Sequence, residues 1–144
     1  SNFKNQKKFY LIGGNEDTIK KTIYKLKKNY QNIIICGHRD GYFNDEQKNE
    51  ILTDIINKKP DIIFVAMGTP RQEFLMADFF DSYSALYVGL GGSFDIFSGN
   101  SRRAPYLFIR LNLEWLYRLI SNPSRIYRYI NLLHFYFKYL TRRL

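Results

Sequence analysis

Short apolar runs recur along the chain, separated by longer stretches of mixed polarity. These runs have the length of β-strands and occupy residues 9–12, 32–36, 62–67 and 85–90. Polar residues do not alternate through them, which is typical of strands covered on both faces of a sheet. Between them, residues 17–30 and 46–58 repeat isoleucine and leucine at helical spacing. This alternation predicts right-handed βαβ units and a mainly parallel sheet flanked by helices, an α/β fold of the Rossmann-like type.

The sequence also marks the later helices. Thr69 is predicted to cap the helix after the third strand, with Pro70 as its first residue and Glu73 near the position of a capping box. Residues 107–120 are predicted to form a further helix, and a proline separates it from a last helix over 124–144.

Each predicted strand ends in a glycine, and the four are Gly13, Gly37, Gly68 and Gly91. Ligands of parallel sheets bind beyond the carboxyl ends of the strands, where helix N-termini point. We therefore expect the loops after these glycines to converge on one edge of the sheet, which we call the rim.

The segment GHRDGYF, residues 37–43, contains charged and aromatic side chains that a simple loop between a strand and a helix does not require. Gly41 allows close approach to a ligand, and Tyr42 and Phe43 have flat faces that stack on a ring. The alternative is a glycine turn with both aromatics packed in the core. His38 is either a base or a histidine satisfied by solvent or by the core. No dinucleotide, Walker, nucleophile-elbow or zinc pattern is present in the sequence.

Two further rim segments carry polar side chains. In residues 68–73, a cap and its box partner account for two positions, which leaves Arg71 and Gln72 at the positive end of a helix dipole, suited to a diphosphate or a sugar. In residues 91–99, Asp95 either accepts hydrogen bonds from sugar hydroxyls and base edges or caps the following turn. The arginine pair after this segment, Arg102-Arg103, either binds a phosphate group or is exposed to solvent without a ligand.

Charge divides the chain into two unequal parts. Residues 1–101 hold 13 Lys and Arg against 12 Asp and Glu, whereas residues 102–144 hold 9 against a single acid, and eight of the nine are arginine. Arginine presents a planar fork that binds phosphate in two places, which favours an anionic partner. We predict a Rossmann-like ligand-binding core over 1–104 and a helical, arginine- and aromatic-rich appendage over 105–144.

The single cysteine, Cys36, lies inside the second apolar run and is expected to be a small buried hydrophobe. One cysteine forms no disulfide within the chain, which suits a reducing compartment. The apolar run at 9–12 is too short for a signal peptide, and no stretch reaches the ~20 apolar residues of a spanning helix.

Six segments, in this order and spacing, resemble the WecG/TagA/CpsF glycosyltransferase family. They are LIGG, GHRDGYF, PDIIFVAMGTPRQEFLM, GLGGSFDIFSG, RRAP and LEWLYRLISNPSRIYRYI, and they extend over about positions 9–130. The resemblance implies an inverting, metal-independent transfer without a cofactor. A sugar related to N-acetylmannosamine would pass from a UDP-sugar to an undecaprenyl-diphosphate-linked acceptor, for surface polymers such as teichoic acid, at the cytoplasmic face of the bacterial membrane.

The resemblance gives the candidate residues their roles. The catalytic candidates are Gln72 and Asp40, the latter as general base because it lies at a strand end within the rim. Substrate contacts are expected from Gly13, Gly37, Gly41, Tyr42, Phe43, Gly68, Thr69, Pro70, Arg71, Gln72, Glu73, Gly91, Gly92 and Asp95. The diphosphate of the lipid or of the departing UDP is expected to bind Arg102, Arg103, Arg118, Arg125 and Arg128 in place of a metal.

Two features depart from the family pattern. Relatives carry a further segment before the LIGG strand, with the aspartate proposed as general base and part of the acceptor pocket. Either this chain is a truncated form, or a partner chain supplies that segment, or the protein has lost catalysis and is a nucleotide-binding or regulatory module. The second departure is Asn112, which stands where the family usually has glycine.

The segment 124–144 combines apolar, aromatic and basic residues at helical spacing. Such a helix suits the headgroup region of a membrane, and its five basic residues contribute about 1 kcal/mol each on an anionic leaflet. The alternative is a helix docked on the core with a solvated basic side. Nucleic-acid binding is a third reading of the basic tail, but no known signature accompanies it and no such partner is expected. A homo-oligomer is left open.

Overall fold

The computed structural model describes residues 6–101, 105–113, 116–117 and 120. The chain divides into two compact units, Ser1–Arg102 and Arg103–Leu144. The elements of the first unit are β1 (Lys8–Gly13), α1 (Glu16–Asn29), β2 (Ile34–Arg39), α2 (Asp45–Lys58), β3 (Ile62–Ala66), α3 (Arg71–Phe80), β4 (Leu86–Gly89) and α4 (Ser93–Ser98). The described part of the second unit contains α5 (Tyr106–Arg110).

The four strands run parallel in one sheet, in the order β2-β1-β3-β4. This confirms the α/β, Rossmann-like prediction. β2 lies on one side of β1 and β3 on the other, so the chain reverses its direction across the sheet after β2. With right-handed crossovers, the reversal places α1 on one face and both α2 and α3 on the opposite face.

Alternate strand residues fill two cores, one on each face of the sheet. The larger core lies under α2 and α3 and consists of Tyr10, Ile12, Ile51, Ile55, Ile63, Val65, Leu75 and Phe79. The smaller core lies under α1 and α4 and consists of Leu11, Ile19, Ala66 and Phe94. Successive residues such as Tyr10 and Leu11 belong to different cores, as the two-residue period of a strand requires.

The second strand does not end at Gly37, so that prediction is wrong. β2 continues to Arg39, and Gly37 is buried inside it, paired with Tyr10 of β1. A Cβ atom on Gly37 would lie 2.3 Å from Cε2 of Tyr10, so the glycine makes room for this ring. The loop toward the rim therefore begins only at Asp40.

The fourth strand, in contrast to the second, is shorter than predicted at its carboxyl end. It stops at Gly89, and Leu90 separates it from Gly91, which has a φ of 57°. Gly92 then directly precedes α4. The pair Gly91-Gly92 thus belongs to the β4–α4 loop, where the chain turns into a helix.

The start of α3 differs from the prediction by one residue. The helix begins at Arg71, Pro70 precedes it, and no side chain caps its first turn. The hydroxyl of Thr69 instead donates to Oε1 of Glu73 at 3.1 Å. The predicted capping box is therefore wrong: the helix starts one residue later, so that Pro70, which has no capping side chain, holds the cap position.

The second unit is less helical than predicted over its described residues. α5 ends at Arg110 and the chain turns at residues 111–112, which interrupts the helix predicted over 107–120. Asn112 has a φ of 56°, in the left-handed region. Asparagine is among the few residues with a side chain that adopt this region, which accounts for its standing at a position the family usually gives to glycine. The helix predicted over 124–144 lies outside the described residues.

Candidate functional site

The loops after β1 and β2 meet the end of β3 at the rim, backbone against backbone. The amide of Gly14 donates to the carbonyl of Ala66 at 3.2 Å, and the amide of Gly41 donates to the carbonyl of Gly14 at 2.8 Å. A Cβ atom on Gly13 would lie 2.2 Å from the Ala66 oxygen, so these backbones approach too closely for a side chain. β1 and β3 are also the strands between which the chain reverses direction, and open parallel sheets bind ligands at such a switch point.

Side chains join the other two rim loops. Gln72 is only 6% exposed, its Oε1 accepts the amide of Gly91 at 2.9 Å, and its Nε2 donates to Oε1 of Glu73 at 2.8 Å. Thr69 donates to the same carboxylate oxygen. We call this chain of contacts, Thr69–Glu73–Gln72–Gly91, the rim strap. Both ends of the Gln72 amide are therefore engaged by the protein, and its catalytic role stays a prediction.

The Glu73 carboxylate is ionised in the rim strap at neutral pH. The hydrogen bond from Gln72 is the main reason that the pKa of Glu73 lies below its ordinary value, and its own backbone N–H and the Thr69 hydroxyl act in the same direction. An ionised carboxylate only accepts hydrogen bonds. Glu73 therefore presents a fixed acceptor to the Gln72 amide.

Asp95 lies in α4 and contacts α1. The hydroxyl of Thr18 is 3.4 Å from Oδ1 of Asp95, and Nδ2 of Asn100 donates to the same hydroxyl at 2.8 Å. Thr18 is buried in the first turn of α1, next to the β1–α1 loop. Asp95 is thus half-buried near the rim, on the face of the sheet that α1 covers. Sequence reasoning did not single out Thr18 or Asn100, because nothing local relates two residues so far apart in the chain.

A cleft of about 200 Å³ lies between α2 and α3 near their N-terminal ends. It is lined by Phe43, Asn44, Asp45, Lys48, Met67, Arg71, Phe74, Leu75 and Asp78. Two of the predicted site residues, Phe43 and Arg71, therefore share one recess. Lys48 and Asp78, on its two sides, form a salt bridge.

The two aromatic residues of the β2–α2 loop have different environments. Tyr42 is 73% exposed, whereas Phe43 is half-buried against the larger core. The alternative that both aromatic residues pack in the core is thus correct for Phe43 and wrong for Tyr42. Asp40 accepts the amide of Tyr42 at 2.9 Å and so shapes the loop as an Asx turn. Its role as a general base stays a prediction.

β2 ends with two basic residues. His38 is exposed, and the pKa of its ring lies below the ordinary value, first because of partial desolvation and then because of the charge on Lys58. Arg39 is half-buried, and its Nε has no hydrogen-bond partner among the described residues. Sequence reasoning did not select Arg39, whose only signal is its position just before the rim loop.

The five arginines predicted to bind a diphosphate, Arg102, Arg103, Arg118, Arg125 and Arg128, lie outside the described residues. Within the part of the chain that the structure describes, no group of three His, Cys, Asp or Glu side chains is placed to hold a metal ion. In that same part, no helix has both the length and the apolar character needed to cross a membrane.

A family model, described as "Glycosyl transferase WecG/TagA/CpsF family", matches residues 2–144. A curated protein of Bacillus subtilis, named N-acetylglucosaminyldiphosphoundecaprenol N-acetyl-beta-D-mannosaminyltransferase, is 44% identical over 130 residues, which are 90% of this chain and 50% of that protein. A protein of the same name from Bacillus spizizenii is 42% identical over 128 residues, 88% of this chain and 49% of that protein. The chain spans about half the length of the curated relatives it matches.

Proposed function

The chain belongs to the WecG/TagA/CpsF family of glycosyltransferases, and we propose that its first unit binds the sugar-nucleotide donor at the rim. The proposed reaction transfers N-acetylmannosamine to a hydroxyl of N-acetylglucosaminyl-diphospho-undecaprenol, the sugar and the acceptor that appear in the names of the relatives. UDP as the carrier of that sugar is what the resemblance to the family implies. The bond from the anomeric carbon to the UDP oxygen breaks, a bond to the acceptor oxygen forms with inversion, and the hydroxyl proton goes to a base.

The observation that supports this proposal best is the meeting of the rim loops at the switch point between β1 and β3. α1, α2 and α3 all begin at this edge, and each directs the positive end of its dipole toward it. Asn15 and Asn44 cap α1 and α2, whereas no side chain caps α3. In that first turn the Gln72 N–H already donates to the Gly68 carbonyl at 3.1 Å, so the donors proposed for an anion are the backbone N–H and the guanidinium of Arg71. A UDP diphosphate fits this charge.

Three side chains complete the proposed donor site. Arg71 contacts the diphosphate from the cleft wall. Tyr42 stacks on the uracil ring, since its own ring is largely exposed at the rim. Asp95 accepts from a sugar hydroxyl, which would replace the long 3.4 Å contact from Thr18. The resemblance to the family further implies that the leaving diphosphate is stabilised without a metal, and the candidates for this role stay Arg102, Arg103, Arg118, Arg125 and Arg128.

A second candidate function is a nucleotide-binding module without turnover. The observation that favours it is that both catalytic candidates already have structural partners: Gln72 holds Gly91 and Glu73, and Asp40 accepts the amide of Tyr42. Both candidates predict UDP binding at the rim, and only the first predicts release of UDP when the lipid acceptor is added.

The test is titration of the 144-residue protein with UDP, followed by NMR and calorimetry. We expect UDP to shift the amides of Gly14, Gly41 and Gly68, and Arg71→Ala to weaken binding about tenfold, the loss expected for one charge-assisted contact. Lys27→Ala is the charge-matched control, because Lys27 is exposed in the last turn of α1, at the opposite edge of the sheet. A folded protein that shows no UDP binding would contradict the proposal.

Turnover is tested separately, with UDP-N-acetylmannosamine and a short-chain analogue of the lipid acceptor. UDP release that depends on the acceptor supports the transferase, and binding without release supports the module.

A further inference from the structure

The loop before α4 is held at its first glycine by a single buried side chain. Gly91 has a φ of 57°, and a Cβ atom built on it would find no atom within 4 Å, so the space on that side of the glycine is open. Its amide donates to Oε1 of Gln72, which extends from the first turn of α3. The place of Gly91 therefore depends on the orientation of the Gln72 amide.

An amide has two ends of the same shape and opposite hydrogen-bonding character. In the observed orientation, the Gln72 oxygen meets the Gly91 N–H and the Gln72 nitrogen meets the Glu73 carboxylate. The reversed orientation would set oxygen against carboxylate and NH₂ against N–H. Two repulsive contacts would then replace two hydrogen bonds at a buried position.

We propose that Glu73 is a positioning residue, which fixes the Gln72 amide in the orientation that holds the β4–α4 loop. Glu73 is itself exposed, and its carboxylate is steadied by the Thr69 hydroxyl at 3.1 Å. Through the rim strap, the position of Gly91 depends on the position of the β3–α3 loop. Because Gly92 follows Gly91 and precedes α4, the start of α4 depends on it as well. Asp95 lies in the first turn of that helix.

Amide hydrogen exchange in the 144-residue protein tests this positioning directly. We expect Glu73→Ala to speed the exchange of the Gly91 amide roughly fivefold to tenfold, which corresponds to the loss of about one hydrogen bond. Glu73→Gln retains an oxygen that accepts from the Gln72 amide and the Thr69 hydroxyl, and we expect it to restore exchange to near the wild-type rate. Thr69→Val removes one of the two donors to Glu73 and is expected to give a smaller acceleration, about twofold.

The matched control is Glu46→Ala. Glu46 is also an exposed acid in the first turn of a helix, α2, so its loss has the same effect on a helix dipole. We expect the control to leave Gly91 exchange unchanged. The proposal is overturned if Glu73→Ala also leaves it unchanged, or if Glu73→Gln matches Glu73→Ala, since the charge and not the acceptor would then be responsible.

The effect on ligand binding is a separate measurement, and it rests on the proposed function. Because the rim strap sets the start of α4 and Asp95 is proposed to contact the sugar, Glu73→Ala should weaken a UDP-sugar about fivefold relative to UDP. The loss of the Glu73 charge acts on the diphosphate of both ligands and cancels in this ratio. Equal weakening of both ligands would contradict a link from Glu73 to the sugar through α4. If the wild-type protein binds neither ligand, the proposed function fails and the exchange result for Glu73 still stands.

Discussion

At the β1–β2 side of the rim the loops touch backbone to backbone, whereas at the β3–β4 side they are joined by the side chains of the rim strap. The first side consists of Gly13, Gly14 and Gly41 against Ala66, and we call it the backbone corner. The second consists of a threonine hydroxyl, a carboxylate and a buried amide that reach the Gly91 N–H.

The two sides should therefore respond to mutation in different ways. The backbone corner has no room for an added atom, so its stability should depend on the size of a substituted side chain and not on the hydrogen-bonding groups which that side chain carries. The rim strap is made of functional groups, so it should be sensitive to hydrogen-bonding character. Four substitutions or conditions, from the largest expected effect to the smallest, separate these responses.

The largest effect is expected from Gly13→Ala in the backbone corner. The new Cβ would lie 2.2 Å from the Ala66 oxygen, and Gly13 has a φ of 135°, so both space and backbone geometry oppose a side chain. We expect a loss of about 4 kcal/mol or more in the free energy of unfolding, measured by urea denaturation. Gly91→Ala is the control: its φ is also positive, but the site is open, and a loss of only about 1–2 kcal/mol is expected.

A smaller loss is expected from Gln72→Ala. This change leaves the amide of Gly91 without its acceptor and opens a gap at a 6% exposed position. We expect the free energy of unfolding to fall by about 2 kcal/mol. Gln31→Ala, at an exposed residue, should stay within about 0.5 kcal/mol of wild type. A loss for Gln72→Ala no greater than that of the control would show that the rim strap adds nothing to folding.

Asn15→Ala tests a side chain that directly follows the backbone corner in the chain. Asn15 follows Gly14 and accepts the amide of Thr18 at 2.8 Å as the cap of α1. We expect a loss of about 1 kcal/mol in unfolding free energy, and almost none for Asn15→Ser, which keeps a capping oxygen. Equal losses for the two variants would mean that Asn15 acts through something other than its cap.

The smallest effect is a pH response confined to the rim strap. The folded state holds the pKa of Glu73 below its ordinary value, so the stability it contributes is present at neutral pH and is lost as pH falls through that lowered pKa. Its partners in the strap, the Gln72 amide and the Thr69 hydroxyl, are uncharged. We expect the NMR shift of the Gly91 amide to change only at acid pH, together with the Glu73 carboxyl carbon. The Gly14 amide, whose partner is a carbonyl, should not follow that titration.

The sequence predicted the fold class because the pattern that determines it, the alternation of strand-length apolar runs with helical spacing, is local. The hand of the crossovers assigns each helix to a face only once the strand order is known, and that order came from the structure. Individual positions depend on contacts that are distant in sequence. Gly37 was expected to end a strand, but the Tyr10 ring, on another strand, is what requires a glycine there.

The sequence indicated which segments lie at the rim, whereas the roles of individual residues in those segments stay predictions. The glycine expected to open the second rim loop, Gly37, lies inside β2 instead, whereas two of the selected residues, Phe43 and Arg71, line one cleft. The cap expected at Thr69 failed because α3 begins one residue later than predicted, which gives the cap position to Pro70. The partner of Gln72 lies nineteen residues farther along the chain, on another loop, and no local pattern indicates such a pair.

Tyr10 connects three elements through one ring. The ring occupies the space that Gly37 leaves in β2, and its hydroxyl donates to Asp54 of α2 at 2.8 Å. The Tyr10 side chain thereby links an edge strand, β2, to α2 and helps to fix the position of the helix along the sheet. Phe43 and Asn44 directly precede α2 and Lys48 lies near its start, so a buried tyrosine that does not line the cleft helps to place the helix that forms one of its walls.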